Sequence, residues 1–354
     1  MTPAVERFDS AQGARIYRIA LPLFPGLWGH AHLVCAPGLC ALVDVGSGLG
    51  DSLEFLDAGL ETVRRDHGER AAWDSLTHVL ITHGHIDHFG ALPAVRARTR
   101  APLGVHELDA PVIGDFERRL PAAAGNRRRF LARAGVAREP AEGLLDLYRT
   151  ARHLYRSVPV DFTFEAAGMR LGPLELLHVP GHCPGHVAFR IGDVLISGDH
   201  VLSAISPHQS PESLTPGTGL ARYLESLERL QAWAGAVRWT LGGHQDPIPD
   251  LAGRATAIVA VHARRLERML ALLAAPLTLA ELAATLFPGT SGYHTLLALE
   301  ETAAHAEFLG AHGLIECMGA GRNGRPHHYR RREGPGLPAL ADLLRTASAV
   351  AVPA

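Results

Sequence analysis

Six consecutive residues, His83-Gly84-His85-Ile86-Asp87-His88, bring three imidazoles and a carboxylate into one short segment. Imidazole nitrogens and carboxylate oxygens are donors that divalent metals take together. The segment directly follows His78-Val79-Leu80-Ile81, an apolar run with the length and branching of a buried strand. A loop leaving such a strand can turn side chains i, i+2, i+4 and i+5 into one cleft. A helix starting near Phe89 would hold its far end rigid. A polar surface loop needs no such composition, so the segment reads as a metal-binding loop.

Four donors fill most of two coordination spheres but not both, so the remainder must come from elsewhere. Three further strand-like runs end in suitable residues. Leu174-Glu175-Leu176-Leu177-His178-Val179 runs into Pro180-Gly181-His182-Cys183-Pro184-Gly185-His186, whose glycines and prolines force a tight turn. Val194-Leu195-Ile196-Ser197 ends in Gly198-Asp199-His200, and Val237-Arg238-Trp239-Thr240-Leu241 ends in Gly242-Gly243-His244. Active sites of layered α/β proteins gather at strand ends in this way.

Taken in order, H-x-H-x-D-H, G-H-x-P-G-H, S-G-D and G-G-H resemble the motifs of the metallo-β-lactamase-fold hydrolases over about residues 14–250. The resemblance is closest to the dinuclear branch that includes glyoxalase II and the N-acyl-homoserine lactonases. It implies one metal held by His83, His85 and His182, and a second held by Asp87, His88 and His244, with Asp199 bridging. It also implies that His186 packs or supports rather than ligates, and that Asp44 braces the metal loop through hydrogen bonds. Cys183 is expected to be a small buried apolar residue. The β-lactamases with two zincs follow H-x-H-x-D with a later cysteine ligand. Here His88 and Asp199 stand instead, which argues against antibiotic hydrolysis.

Two adjacent cations can lower the pKa of a shared water towards neutrality, and the resulting hydroxide attacks an acyl carbonyl. The expected activity is therefore metal-dependent hydrolysis of a small acyl thioester, ester or lactone, without a serine or cysteine nucleophile. Asp87 is the candidate catalytic group, orienting the hydroxide or moving its proton to the leaving group. Mixed His/carboxylate donors suit zinc by default and accept iron or manganese. Cleavage of single-stranded RNA is the alternative activity that the resemblance allows. A non-catalytic metal-binding protein is a third reading, disfavoured because every donor is present.

The chain of 354 residues exceeds the usual size of one domain, and its 47% apolar content is ample for real cores. A formal charge of −2 offers no general attraction to nucleic acid or to a membrane. Four cysteines without a C-x-x-C fit reduced thiols, and the N-terminus lacks the pattern of a signal peptide, so a cytoplasmic setting is expected. No apolar run approaches the ~20 residues of a membrane span.

Periodicity predicts an αββα sandwich over residues 1–250, with strands near 14–21, 31–35, 40–45 and 103–105 and helices near 51–65 and 91–98. Residues 107–158, rich in Ala, Leu, Arg and Glu, interrupt it as a helical insertion and candidate lid, with Tyr148 and Tyr155 expected on one helical face. Residues 251–333 predict helices at 255–273, 278–286 and 295–312, then strands at 313–317 and 327–330 around a turn-rich tip at 319–326. That order suggests a small winged-helix-like domain, and 334–354 a peripheral tail. Such an appendage resembles the bacterial subgroup allied to β-lactamase-like protein 2, as does the segment His200-Val201-Leu202-Ser203-Ala204-Ile205-Ser206-Pro207-His208. Within it His200, Ser206 and His208 are candidate substrate contacts. The helix that would enter a DNA groove carries Glu300 and Glu301 and no basic residue over 295–304. Specific duplex binding is therefore not expected, and the domain should instead narrow the cleft or pair two copies as a homodimer.

Overall fold

The computed structural model describes residues 4–151, 155–319 and 326–333. One sheet has seven strands in chain order: β1 (Val5–Asp9), β2 (Arg15–Phe24), β3 (Leu27–Ala36), β4 (Leu39–Val43), β5 (His78–Leu80), β6 (Leu103–Val105) and β7 (Phe162–Thr163). The first four pair antiparallel, and β5, β6 and β7 then add in parallel. Parallel pairing of Leu42 with Val79 places the ends of β4 and β5 side by side. Asp44 and the segment from Thr82 to His88 therefore leave the sheet at the same edge.

The second sheet, in the order β12-β11-β10-β9-β8, comprises β8 (Arg170–Leu171), β9 (Leu174–His178), β10 (Val187–Ile191), β11 (Val194–Gly198) and β12 (Trp239–Gly242). Strand β10 runs antiparallel to both β9 and β11, while β12 runs parallel to β11. Strands β9, β11 and β12 consequently share a direction, and the segments carrying His182, Asp199 and His244 emerge at one edge. Sequence periodicity did not single out β1 or β10.

Consecutive residues of the inner strands serve opposite cores, as the period of two in a strand requires. Val34, Val43 and Leu80 meet Leu176, Phe189, Ile196 and Leu241 between the sheets. Leu33, Leu42 and Val79 face outward onto α1 (Ser52–His67), where Leu56, Leu60 and Val63 cover them. The helix expected to start near Phe89 begins earlier: α2 (Ile86–Phe89) carries Asp87 and His88 themselves, and a second short helix, α3 (Leu92–Arg96), follows. An αββα sandwich results, as the sequence pattern predicts.

Residues 107–158 supply three helices, α4 (Ala110–Gly114), α5 (Phe116–Ala134) and α6 (Arg138–Ala151). Tyr155 does not continue the helical face of Tyr148. Helix α6 ends at Ala151, and the Tyr155 ring is buried edge-on against Phe89 and Phe116. The side chain of Tyr148 lies outside the described residues.

Helix α7 (Leu220–Ala234) covers the second sheet. It is followed by α8 (Leu251–Leu272), α9 (Leu279–Leu286), α10 (Tyr293–Ala311) and the hairpin of β13 (Ile315–Met318) with β14 (His328–Arg331). Thr278 caps α9 in a reciprocal box with Glu281. These C-terminal helices share one apolar core with the insertion. Leu131, Leu144 and Leu145 of α5 and α6 join Leu266, Leu282, Leu299 and Leu309 within it. Most of the turn expected at 319–326, and the tail 334–354, lie outside the described residues.

Candidate metal centre

The ends of four strands bring the seven expected donors together. Single donor atoms of His83, His85 and His182 all lie within 4.8 Å of one another, as do those of Asp87, His88 and His244. Asp199 stands between the two groups. Its Oδ2 is 3.3 Å from His244 Nε2 and 3.9 Å from His182 Nε2, and its Oδ1 is 3.5 Å from His88 Nε2.

Four imidazoles are oriented by the nitrogen that faces away from the cluster. His83 Nδ1 donates to Thr82 Oγ1 (2.9 Å), His88 Nδ1 to Asp44 Oδ2 (2.8 Å), His182 Nδ1 to the His208 carbonyl (2.7 Å) and His244 Nδ1 to the Trp28 carbonyl (2.8 Å). In the neutral form of each ring the lone pair then lies on Nε2, aimed at the centre, the arrangement by which outer partners fix the tautomer of a ligating histidine. The fifth imidazole, His85, presents Nδ1 at 3.0 Å from His83 Nε2.

Asp44 sits where β4 turns, at φ +60°. One of its oxygens accepts the Thr82 N–H at 2.8 Å; the other accepts Thr82 Oγ1 at 2.9 Å and His88 Nδ1 at 2.8 Å. Because the Thr82 hydroxyl accepts from His83 in turn, one buried carboxylate orients a histidine in each group. His186 is fully buried, stacks on His83 with ring centroids 4.6 Å apart, and accepts the Asp199 N–H at 3.1 Å. It thus holds the central acid rather than offering a ligand.

Electrostatically, the corner around Asp199 calls for positive charge. Burial opposes charging His88 and His244, yet Asp199 with Asp44 and Asp87 raises His88 well above its ordinary range, and Asp199 with Asp87 raises His244 to about 10. Burial would also raise Asp87, but His88 and His244 hold it down at about 2. In the other corner burial and neighbouring imidazoles keep His83 neutral, and burial chiefly lowers His85 to about 3. Three buried atoms aimed at the centre, His88 Nε2, His182 Nε2 and Asp199 Oδ1, find no hydrogen-bond partner. An unpaired buried polar atom costs about 1–3 kcal/mol. The ionised carboxylates thus draw protons onto His88 and His244, and divalent cations could replace those protons while the neutral His83, His85 and His182 supply lone pairs.

The candidate substrate contacts behave differently. His200 is fully buried with its ring on Tyr223, centroids 4.8 Å apart, and neither ring nitrogen has a hydrogen-bond partner. Ser206 Oγ is taken by Arg265 at 2.9 Å, and the His208 ring by Glu300 and Glu301. Ser206 and His208 are thus corrected from substrate contacts to internal supports, whereas His200 is closed off from solvent. Their position in the segment after Asp199 suggested the former, and only the tertiary packing shows where the polar atoms of Ser206 and His208 go.

Sequence reasoning missed Asp109. This buried residue of the insertion accepts the Gly84 N–H at 2.8 Å and the Gly185 N–H at 3.0 Å, tying the His83–His85 turn to the His182–His186 turn. Burial pushes its carboxyl up to about 6. Cys183 is buried beside it, as expected. The only signal in the sequence was an acid shortly after a strand, and many exposed acids share that. Gly243 stood in the sequence only as part of the G-G-H motif. A Cβ there would come within 2.5 Å of Asp199 Oδ1 and 2.6 Å of His88 Cε1.

A two-sheet sandwich with its His/Asp cluster at the strand ends defines a class of metal-binding hydrolase folds. A sequence model of the Metallo-beta-lactamase superfamily matches residues 27–276, and the chain belongs to that superfamily. It resembles the metallo-beta-lactamase fold-containing protein ST1585 of Sulfurisphaera tokodaii at 28% identity, over 49% of this chain and 62% of that protein. It resembles the probable metallo-hydrolase YqgX of Bacillus subtilis at 32% identity, over 34% of this chain and 47% of that protein. The chain thus spans only about half to three-fifths of the length of these two curated relatives. The crystal structure of the metallo-beta-lactamase family protein TTHA1429 from Thermus thermophilus superposes with a TM-score of 0.71 at 28% identity, covering 90% of this chain and 98% of that one.

Proposed function

We propose that this chain is a hydrolase dependent on two divalent cations, zinc by default, acting on a small acyl thioester, ester or lactone. The observation that carries the reading is the place of Asp199, with one oxygen towards His88 and the other towards both His182 and His244. The three-histidine corner and the Asp87/His88/His244 corner would each hold one cation, with Asp199 between them. Bound there, the pair supplies Lewis acidity that lowers the pKa of a water and polarises an acyl carbonyl. The chain's own groups do the rest. The outer hydrogen bonds of His83, His88, His182 and His244 hold a proton on each Nδ1 and aim each Nε2, so that a cation would displace only an Nε2 proton where one is present. Asp87, ionised and with Oδ2 at 3.2 Å from His244 Nε2, takes the proton of the attacking water and passes it to the leaving group.

The surroundings support the same reading. Helix α10 turns Glu300 and Glu301 inward, so the C-terminal unit, winged-helix-like in its element order, serves packing or homodimer formation rather than duplex recognition. All four cysteines are free, which supports a reducing, cytoplasmic setting. Among the described residues no helix is long and apolar enough to cross a membrane.

The test is a panel of acyl thioesters, lactones and labelled single-stranded RNA, assayed with metal-replete and chelated protein. Thioester, ester or lactone turnover that disappears on chelation is the expected result. Metal-dependent cleavage of RNA alone would replace the acyl reading with the phosphodiesterase one, and turnover indifferent to chelation would overturn both.

A further inference from the structure

His182 takes its support from a segment without regular structure. Its Nδ1–H donates to the carbonyl of His208, within the bends and turns that join β11 to α7. No ladder of that segment's own fixes the carbonyl. Helices α10 and α8 do. The His208 ring lies between two carboxylates, with Nε2 at 3.4 Å from Glu300 and Nδ1 at 3.5 Å from Glu301. Gln209 N–H donates to Glu301 at 2.6 Å and Ser210 Oγ to Glu300 at 3.4 Å. Further along, Glu307 accepts the N–H groups of Glu212 and Ser213 at 2.7 and 3.2 Å. Arg265 of α8 closes the clamp, donating to Glu301 at 2.8 Å and to Ser206 at 2.9 Å.

We propose that Glu300, Glu301 and Glu307, with Arg265, are positioning residues for the metal centre: by fixing the 206–213 segment they fix the His208 carbonyl, and through it the tautomer and aim of His182. The C-terminal helices thereby set cation affinity at the three-histidine corner through His182, although they follow it far along the chain. The acids of α10, which speak against a nucleic-acid role, have this one instead. The inference rests on the metal reading above.

The same residues include a grouping, His262, Glu301 and His305, whose donor atoms lie within 4.8 Å of one another. Its converging atoms are already engaged with one another and with Arg265, although His262 Nε2 has no hydrogen-bond partner. Arg265 occupies Glu301, His305 Nδ1 donates to the Glu301 carbonyl at 2.7 Å, and its Nε2 faces His262 Nδ1 at 3.1 Å. A dication there would have to displace the arginine, so this grouping belongs to the clamp and is not a third metal site.

The experiment measures zinc affinity of the full-length chain by competition with a chromophoric chelator in two backgrounds. Asp87→Ala with His244→Ala leaves the three-histidine corner, and His85→Ala with His182→Ala leaves the other. Glu301→Ala should weaken the three-histidine corner about tenfold, the low end of the effect of removing an outer partner, while the other corner stays within about twofold. Glu301→Gln should recover part of the loss, because its amide oxygen still accepts from Gln209. Glu307→Ala, at the more open end of the clamp, should weaken the same corner about threefold, and it decides the matter if Glu301→Ala does not fold. Unchanged affinity at the three-histidine corner, or equal loss at both corners, overturns the clamp while leaving the metal reading intact. Absence of zinc binding by the unsubstituted chain overturns the metal reading and the clamp with it.

Discussion

Replacing Asp44 by Asn removes one charge and changes almost nothing else. Asn tolerates the positive φ that Asp44 adopts, so the backbone stays in place. The hydrogen-bond pattern does not. One carboxylate oxygen accepts the Thr82 N–H, and the other accepts both His88 Nδ1 and the Thr82 hydroxyl. The amide offers one acceptor and one donor, so either rotamer sets N–H against N–H. The least costly escape is for His88 to give up its Nδ1 proton and carry it on Nε2, the atom that faces Asp199. That nitrogen then has no lone pair for a cation. Loss of such an outer partner weakens metal binding by about 10–100-fold, or about 1.4–2.7 kcal/mol. Chelator competition should show the larger loss at the Asp87/His88/His244 corner and a smaller one at the three-histidine corner, relayed through Thr82 and His83. Thr82→Val, which removes only the relay, should weaken the three-histidine corner alone. If Asp44→Asn bound both cations within about twofold of the unsubstituted chain, tautomer control by this carboxylate would be refuted.

Asp87→Asn should keep one cation at wild-type affinity and lose turnover by about 100-fold or more; full metal content with full turnover in a steady-state assay would end the proton-transfer role of Asp87. Gly243→Ala drives a methyl into Asp199 and His88, so metal content measured by elemental analysis should fall towards one ion or none while the fold, followed by circular dichroism, persists. His208 gives a pH signature. Burial opposes its charge, but Glu300 and Glu301 raise it from 6.5 to about 9. A folded value above the unfolded one means that its contribution is complete below about pH 6.5 and is lost as pH rises through about 9. That interval corresponds to at most about 3 kcal/mol, reduced by the partial exposure of the ring. Melting curves of wild type and His208→Gln should therefore differ most near pH 6 and converge above pH 9; a constant gap would count against the ion pairs.

Much of the centre was legible in the sequence because metal ligation is a matter of donor type and of strand ends. His83, His85, Asp87 and His88 announce themselves by density. His182, Asp199 and His244 are marked by glycine-rich turns after apolar runs, and the parallel course of β9, β11 and β12 turns those one-dimensional marks into one edge. The strands β2 to β6 and the helices α1 and α8 to α10 follow from apolar periodicity, which records burial directly. Strand β10 escaped because its five residues follow His186 without punctuation, and β1 because only part of it is buried.

Hydrogen-bond partners far apart in the chain leave no such trace. That Asp109 joins two turns, that His186 holds Asp199, that His200 faces inward and that Glu301 reaches Gln209 all depend on how helices from the insertion and the C-terminus pack over the second sheet. A carboxylate or imidazole carries the same letters whether it faces a cleft, a peptide N–H or an arginine. The sequence alone determined which atoms could bind a cation; the tertiary structure decided which of the remaining polar groups aim them, because that choice is set by distances between segments that periodicity and composition do not encode.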